Sequence, residues 1–124
     1  MENILDYKDT YWSKYSDYST TTIHITDIIK LDDGYKIICR AIFNQIHNNT
    51  LLPPGITTRN LEFQEDDVED LKNTLYESRY YQVDKDTYDN IMQLYKEYHK
   101  SFHDIARKMK KIIKNKIGHE YEKI

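Results

Sequence analysis

From about Asp86 to Ile117 apolar residues recur on a seven-residue pattern, and no other stretch of this chain limits its fold so tightly. Tyr88, Tyr95, Phe102 and Met109 fill one position of the repeat, and Ile91, Tyr98, Ile105 and Ile112 fill another. That spacing predicts one long amphipathic α-helix. Asp84 or Asp86 is placed to cap its start, and Gly118 falls just past its expected end. Some 30 residues of helix extend roughly 45 Å, more than a compact domain of this length is wide. Either the helix bends near Lys100-Ser101, or one end meets something else, and a homodimer through its apolar face is one such expectation.

The rest of the chain reads as mixed structure. Ile4, Tyr7, Tyr11, Tyr15 and Tyr18 recur at spacings of three and four, which predicts a helix over about 3–17. Thr20 to Leu31 is β-branched and alternates at Ile23, Ile25 and, less cleanly, Ile28, and Asp32-Asp33-Gly34 signals a hairpin turn with Gly34 at the positive-φ position of a three-residue loop. Tyr35 to Ile46 returns as the second strand. His47-Asn48-Asn49-Thr50 ends it, and Leu51-Leu52-Pro53-Pro54 forms an apolar loop tip that could serve as a contact. Thr57 to Phe63 reads as a third strand, and Asp66 with Glu69 forms a capping box for a helix over 66–77. Arg79 to Val83 is a short fourth strand or a connector.

The expected fold is therefore α+β in one domain, 1–124. It comprises an N-terminal Tyr-rich helix (1–19), a hairpin plus third strand (20–63), a helical part (64–118) and a tail (119–124). The sheet has three to four mainly antiparallel strands, covered by one short helix and the long C-terminal one.

Cys39 is the single cysteine, so no internal disulfide can form. Its place in a strand between Ile38 and Ala41 points to burial as a small apolar residue. With no basic–apolar leader at Met1 and only short apolar runs, a cytoplasmic chain without a membrane segment is expected.

Recognisable chemistry is sparse. His99 and His103 stand at i, i+4, yet no third ligand stands at a zinc-motif spacing, so two histidines beside the apolar stripe are the expectation. Glycines 34, 55 and 118 are too scattered for a phosphate loop. No nucleophile–base pair or carboxylate dyad can be named, so neither catalysis nor a cofactor or metal is expected.

Charge is unevenly spread. Nine basic and 17 acidic side chains precede Lys96 (net −8), while nine basic and four acidic ones follow from there (net +5). Glu62, Glu65, Asp66, Asp67, Glu69 and Asp70 form an acidic cluster beyond what helix capping needs, suited to filling a basic groove on another protein. Arg107, Lys108, Lys110, Lys111, Lys114 and Lys116 make the helix end basic, which suits phosphate contacts. Twelve tyrosines and Trp12 supply most of the aromatic surface, and Tyr7, Tyr11, Trp12, Tyr15, Tyr80 and Tyr81 are candidate partner contacts.

Ile, Lys, Asn and Tyr make up 50 of the 124 residues, all encoded by A/T-rich codons, which fits a low-GC bacterium, its phages or a virus. In size, composition and acidic patches the chain resembles small accessory proteins of phages and mobile elements, anti-CRISPR proteins among them. The resemblance implies a non-enzymatic inhibitor that binds a host bacterial protein, such as a CRISPR effector nuclease, through the acidic cluster and exposed tyrosines. A nucleic-acid-binding regulator using the basic helix end is the alternative expectation.

Overall fold

The computed structural model describes residues 2–46 and 55–122, with side chains through residue 116. The loop tip Leu51-Leu52-Pro53-Pro54 and the segment His47 to Thr50 lie outside the described residues. Five strands, β1 (Tyr11–Tyr15), β2 (Ser19–Leu31), β3 (Gly34–Gln45), β4 (Gly55–Glu65) and β5 (Tyr81–Val83), form one antiparallel sheet in the order β4-β3-β2-β1-β5. Among the described residues two α-helices accompany it, α1 (Val68–Glu77) and α2 (Lys85–Glu122). The α+β class therefore holds, with five strands rather than three or four. The chain divides into two compact units, Met1–Met92 and Gln93–Ile124, with the boundary inside α2.

The expected N-terminal helix over 3–17 is replaced by a single 3-10 turn, Ile4–Tyr7, followed by β1. Asn3 and Asp6 cap that turn reciprocally, and Asp9 then takes a φ of 61°, which no helix accommodates. Beyond Asp9 the chain is captured by two neighbours: Trp12 pairs with Ile23 on β2 and with Gln82 on β5. Interior pairing on both sides outweighs the weak helix preference of Thr, Ser and Asp.

The β2–β3 hairpin forms as its pattern predicts, but Leu31 pairs with Gly34, leaving a two-residue turn at Asp32-Asp33 instead of a three-residue loop. Gly34 has a φ of 132°, and a Cβ there would lie 2.8 Å from the Glu65 carbonyl oxygen. The imperfect alternation of Ile23, Ile25 and Ile28 has a direct cause. A register shift between Ile25 and Asp27 inserts one extra residue, so Ile25 and Ile28 both reach the core. Thr26 donates its hydroxyl to the Ile38 carbonyl at 3.1 Å across that bulge.

One face of the sheet is the core side. Ile25, Ile37 and Cys39 from β2 and β3 pack with Leu71 and Leu75 of α1 and with Ile4 and Tyr7 of the 3-10 turn. Burial of Cys39 agrees with its strand context and pushes its thiol pKa up to about 12. The acid that caps α1 is Asp67, whose side chain accepts from the Asp70 N–H at 2.9 Å, and not Asp66. Asp84 caps α2 through the Thr87 N–H at 2.8 Å. Helix α2 continues through Gly118 to Glu122, so glycine does not stop it and 119–122 is no tail. An unstrained helical glycine loses only about 1 kcal/mol against alanine, too little to end a long helix alone.

Candidate functional site

At the other end of α1 the chain reverses over Ser78-Arg79-Tyr80 and enters β5. The Ser78 N–H donates to the Thr74 carbonyl, Arg79 to Tyr76 and Tyr80 to Leu75, at 3.1, 2.9 and 3.0 Å. This is the backbone pattern that closes a helix around one left-handed residue, a place where glycine is the usual occupant. Here the left-handed residue is Arg79, with a φ of 63°.

Three clefts meet around this turn. The first, about 340 Å³, is walled by Tyr7, Trp12, Tyr76 and Tyr80, with Glu69 and Lys72 at its rim. Tyr7 and Trp12 hold their rings nearly parallel, 6.1 Å apart. Thr10 ties the pair together, accepting from Trp12 Nε1 at 2.9 Å and donating to the Tyr7 carbonyl at 2.6 Å. Tyr7 donates its hydroxyl to Glu2, which also meets Lys72 at 3.2 Å. Lys72 and the Tyr7 hydroxyl hold the Glu2 carboxyl below its ordinary value.

The second cleft, about 410 Å³, is lined by Tyr76, Glu77, Arg79, Tyr80 and Tyr81. Tyr76 and Tyr81 are 82% and 70% exposed, so this wall is aromatic and open. The third, about 310 Å³, is lined by Lys14, Tyr15, Ser16, Ser19, Ser78 and Arg79. Lys14 sits with its ammonium 4.7 Å from the centre of the Tyr80 ring. Burial pushes the Tyr80 phenol up to about 12, so it stays neutral beneath that cation.

The candidate aromatic contacts thus separate by role. Tyr7, Trp12 and Tyr80 converge on the first cleft, Tyr81 joins the second and Tyr15 the third. Tyr11 lies on the face of β1 opposite Trp12, stacked on His24 at 4.5 Å and against Tyr88 at 5.1 Å. His24 holds Asp9 at 3.0 Å, so this cluster joins the first turn of α2 to the sheet. His24 and Asp9, 15 residues apart, give no sequence signal of their meeting. Lys14, Ser16, Ser19 and Arg79 were equally silent.

The acidic cluster is less uniform than its sequence. Glu62 pairs with Lys36 at 3.3 Å, Glu65 accepts from the Thr74 hydroxyl at 2.6 Å, and Glu69 approaches Lys72 at 3.8 Å. Asp66 and Asp67 remain exposed around the start of α1, with Asp70 half-buried beside them. Asp67, then Asp66, raises the Asp70 carboxyl above its ordinary value, the mark of crowded like charges.

In the second unit, α2 alone carries both remaining candidate surfaces. Leu94, Tyr98, Phe102, Ile105, Met109, Ile112 and Ile113 are 41–64% exposed along it. Arg107, Lys108, Lys110, Lys111, Lys114 and Lys116 are all exposed, and among the described residues none of them forms an ion pair. His99 and His103 meet Nε2 to Nε2 at 2.9 Å, and among the described residues no third metal-ligating side chain joins them. Among the described residues, no helix is long and apolar enough to cross a membrane.

Compared with known proteins, the chain matches no family model, no curated protein and no solved structure.

Proposed function

We propose that this protein is a non-enzymatic binding protein that docks α2 into an apolar groove with an acidic rim on a partner protein. The observation that carries this reading is the exposed stripe from Leu94 to Ile113, seven large apolar side chains on one helix. Exposed apolar surface on that scale marks an interaction site, and a helix presenting anchors at seven-residue spacing is suited to a groove. Between Gln93 and Lys116 the helix has eight cationic side chains and two acidic ones, which favours an acidic rim. Phe102, Ile105 and Met109 lie mid-stripe, where affinity concentrates.

The resemblance in size and composition to anti-CRISPR proteins supplies the partner class, a host protein that handles nucleic acid. Inhibition by occupying that protein follows from docking alone and needs no catalysis. Asp66, Asp67 and Asp70 would form a second contact, on a basic part of the same partner.

The test compares full-length chain with a Phe102→Asp, Ile105→Asp variant. Host proteins retained by each are identified, and the retained protein is purified and titrated directly. The proposal expects one partner whose affinity falls at least tenfold in the variant. Equal affinity for both chains would remove the stripe from the reading.

A second reading, binding to nucleic acid, is favoured by the six exposed cations from Arg107 to Lys116, which form no ion pair among the described residues. It predicts affinity for DNA or RNA that drops steeply as salt rises. Gel-shift titration at low salt without a shifted band rejects it.

A further inference from the structure

The second and third clefts share Arg79, which joins a tyrosine-walled opening to a cationic, hydroxyl-lined one. We propose that this groove binds a nucleoside monophosphate, with its phosphate between Lys14 and Arg79 and its base against Tyr76 and Tyr81. The inference is independent of any partner of α2.

Four observations support it. Lys14 and Arg79 form no ion pair among the described residues, and no carboxylate lines the third cleft. In the first unit Lys36, Lys72 and Lys85 meet carboxylates, whereas Lys30, Arg40 and Arg59 form no ion pair among the described residues. Two uncompensated charges in one small cleft attract a dianion, and a guanidinium fork matches phosphate oxygens.

The hydroxyls are already ordered. Ser16 Oγ accepts from the N–H groups of Tyr18 and Ser19, both at 3.2 Å, and lies 3.3 Å from Ser19 Oγ. With its oxygen occupied, Ser16 gives its proton to Ser19, leaving the Ser19 O–H to donate to an oxygen in the cleft.

The end of a helix carries partial negative charge, which disfavours an anion. Here the carbonyls of Thr74, Leu75 and Tyr76 are taken up by the N–H groups of Ser78, Tyr80 and Arg79. That closure reduces the opposing field.

Finally, Arg79 occupies the left-handed position where glycine is unstrained. A long cationic side chain is held at that strained point, beside two exposed tyrosines able to stack on a base. Glu77 lines the tyrosine cleft and not the cationic one, so its carboxylate is placed on the side assigned to the base rather than to the phosphate.

The test is an amide NMR titration of the full chain with adenosine monophosphate, adenosine and inorganic phosphate as separate probes. Saturable shifts at Lys14 to Ser19 and Ser78 to Tyr81 are expected with the monophosphate, and about tenfold weaker binding of either fragment. Arg79→Gly should weaken monophosphate binding about tenfold while raising the melting temperature, which separates lost contact from lost fold. Lys14→Met should weaken it comparably. No saturation, shifts confined to α2, or binding unchanged in Arg79→Gly would each overturn the assignment.

Discussion

Trp12 and Tyr7 hold their rings parallel to within 5° at a centroid distance of 6.1 Å, although one belongs to a strand and the other to a 3-10 turn. Thr10 makes the pairing possible by bonding to both residues through one oxygen. The first strand is thereby clamped to the segment that leads into it. Thr10→Val keeps the shape and removes both bonds, leaving the indole N–H and the Tyr7 carbonyl without that partner. A loss of about 1–3 kcal/mol in urea unfolding is expected. A loss below about 0.5 kcal/mol would mean that solvent replaces the hydroxyl.

Cys39 is buried under α1 with its thiol pushed up to about 12. The native protein at pH 8 should resist alkylation by iodoacetamide, since the thiolate is the nucleophile and is scarcely populated. In denaturant the same cysteine should react completely. Mass spectrometry after timed quenching distinguishes the two, and rapid native labelling would contradict the buried placement.

Alkaline pH should destabilise the fold. Burial raises Tyr80 from 10.0 and Cys39 from 9.0, each to about 12. Both are neutral acids whose ionised form is disfavoured in the folded chain. Their contribution is whole below the ordinary values, declines as the unfolded chain begins to ionise from about pH 9, and is gone once pH passes about 12. Melting temperature against pH should fall across that interval, and less steeply in Tyr80→Phe.

The cap of α1 separates two adjacent acids. Asp67→Ala should cost about 0.5–2 kcal/mol, because the Asp70 N–H loses its acceptor. Asp66→Ala should change stability by less than about 0.5 kcal/mol. Chemical denaturation of both variants measures the difference, and equal effects would contradict the cap assignment.

Two backbone positions predict opposite signs. Gly34→Ala places a Cβ 2.8 Å from the Glu65 carbonyl at a φ of 132°, so a loss of about 1–3 kcal/mol is expected. Arg79→Gly relieves a left-handed arginine and should gain about 0.5–1 kcal/mol. Urea midpoints of the two variants provide the check.

How far the fold could be read depended on which periods were ambiguous. The β2–β3 hairpin was legible because alternation and an Asp-Asp-Gly turn agree. Its bulge was foreshadowed only by the poor fit of Ile28. The tyrosine row misled because a spacing of four is even: Tyr11 and Tyr15 share a face of a strand as readily as of a helix. What settles it is pairing with Ile23 and Gln82, far along the chain and invisible to local pattern. The clefts at the end of α1 were legible only in part. Tyr7, Trp12, Tyr80 and Tyr81 stood out by type, whereas Arg79 was read only as the start of a short strand or connector. Its importance comes from a backbone angle that no composition reveals.

The pairing of β5 with β1 has a consequence for how the chain must be made. Tyr11 waits for Val83, and β1 has no second neighbour until nearly the whole first unit has been synthesised. A nascent chain that pauses after α1 would carry a hairpin and a third strand already joined, with one bare rim of backbone donors and acceptors at β1. Such a rim pairs readily with another nascent chain. The three residues Tyr81–Val83 thus act as the chain's own late-arriving seal, and truncation before them should yield aggregate rather than a smaller folded protein.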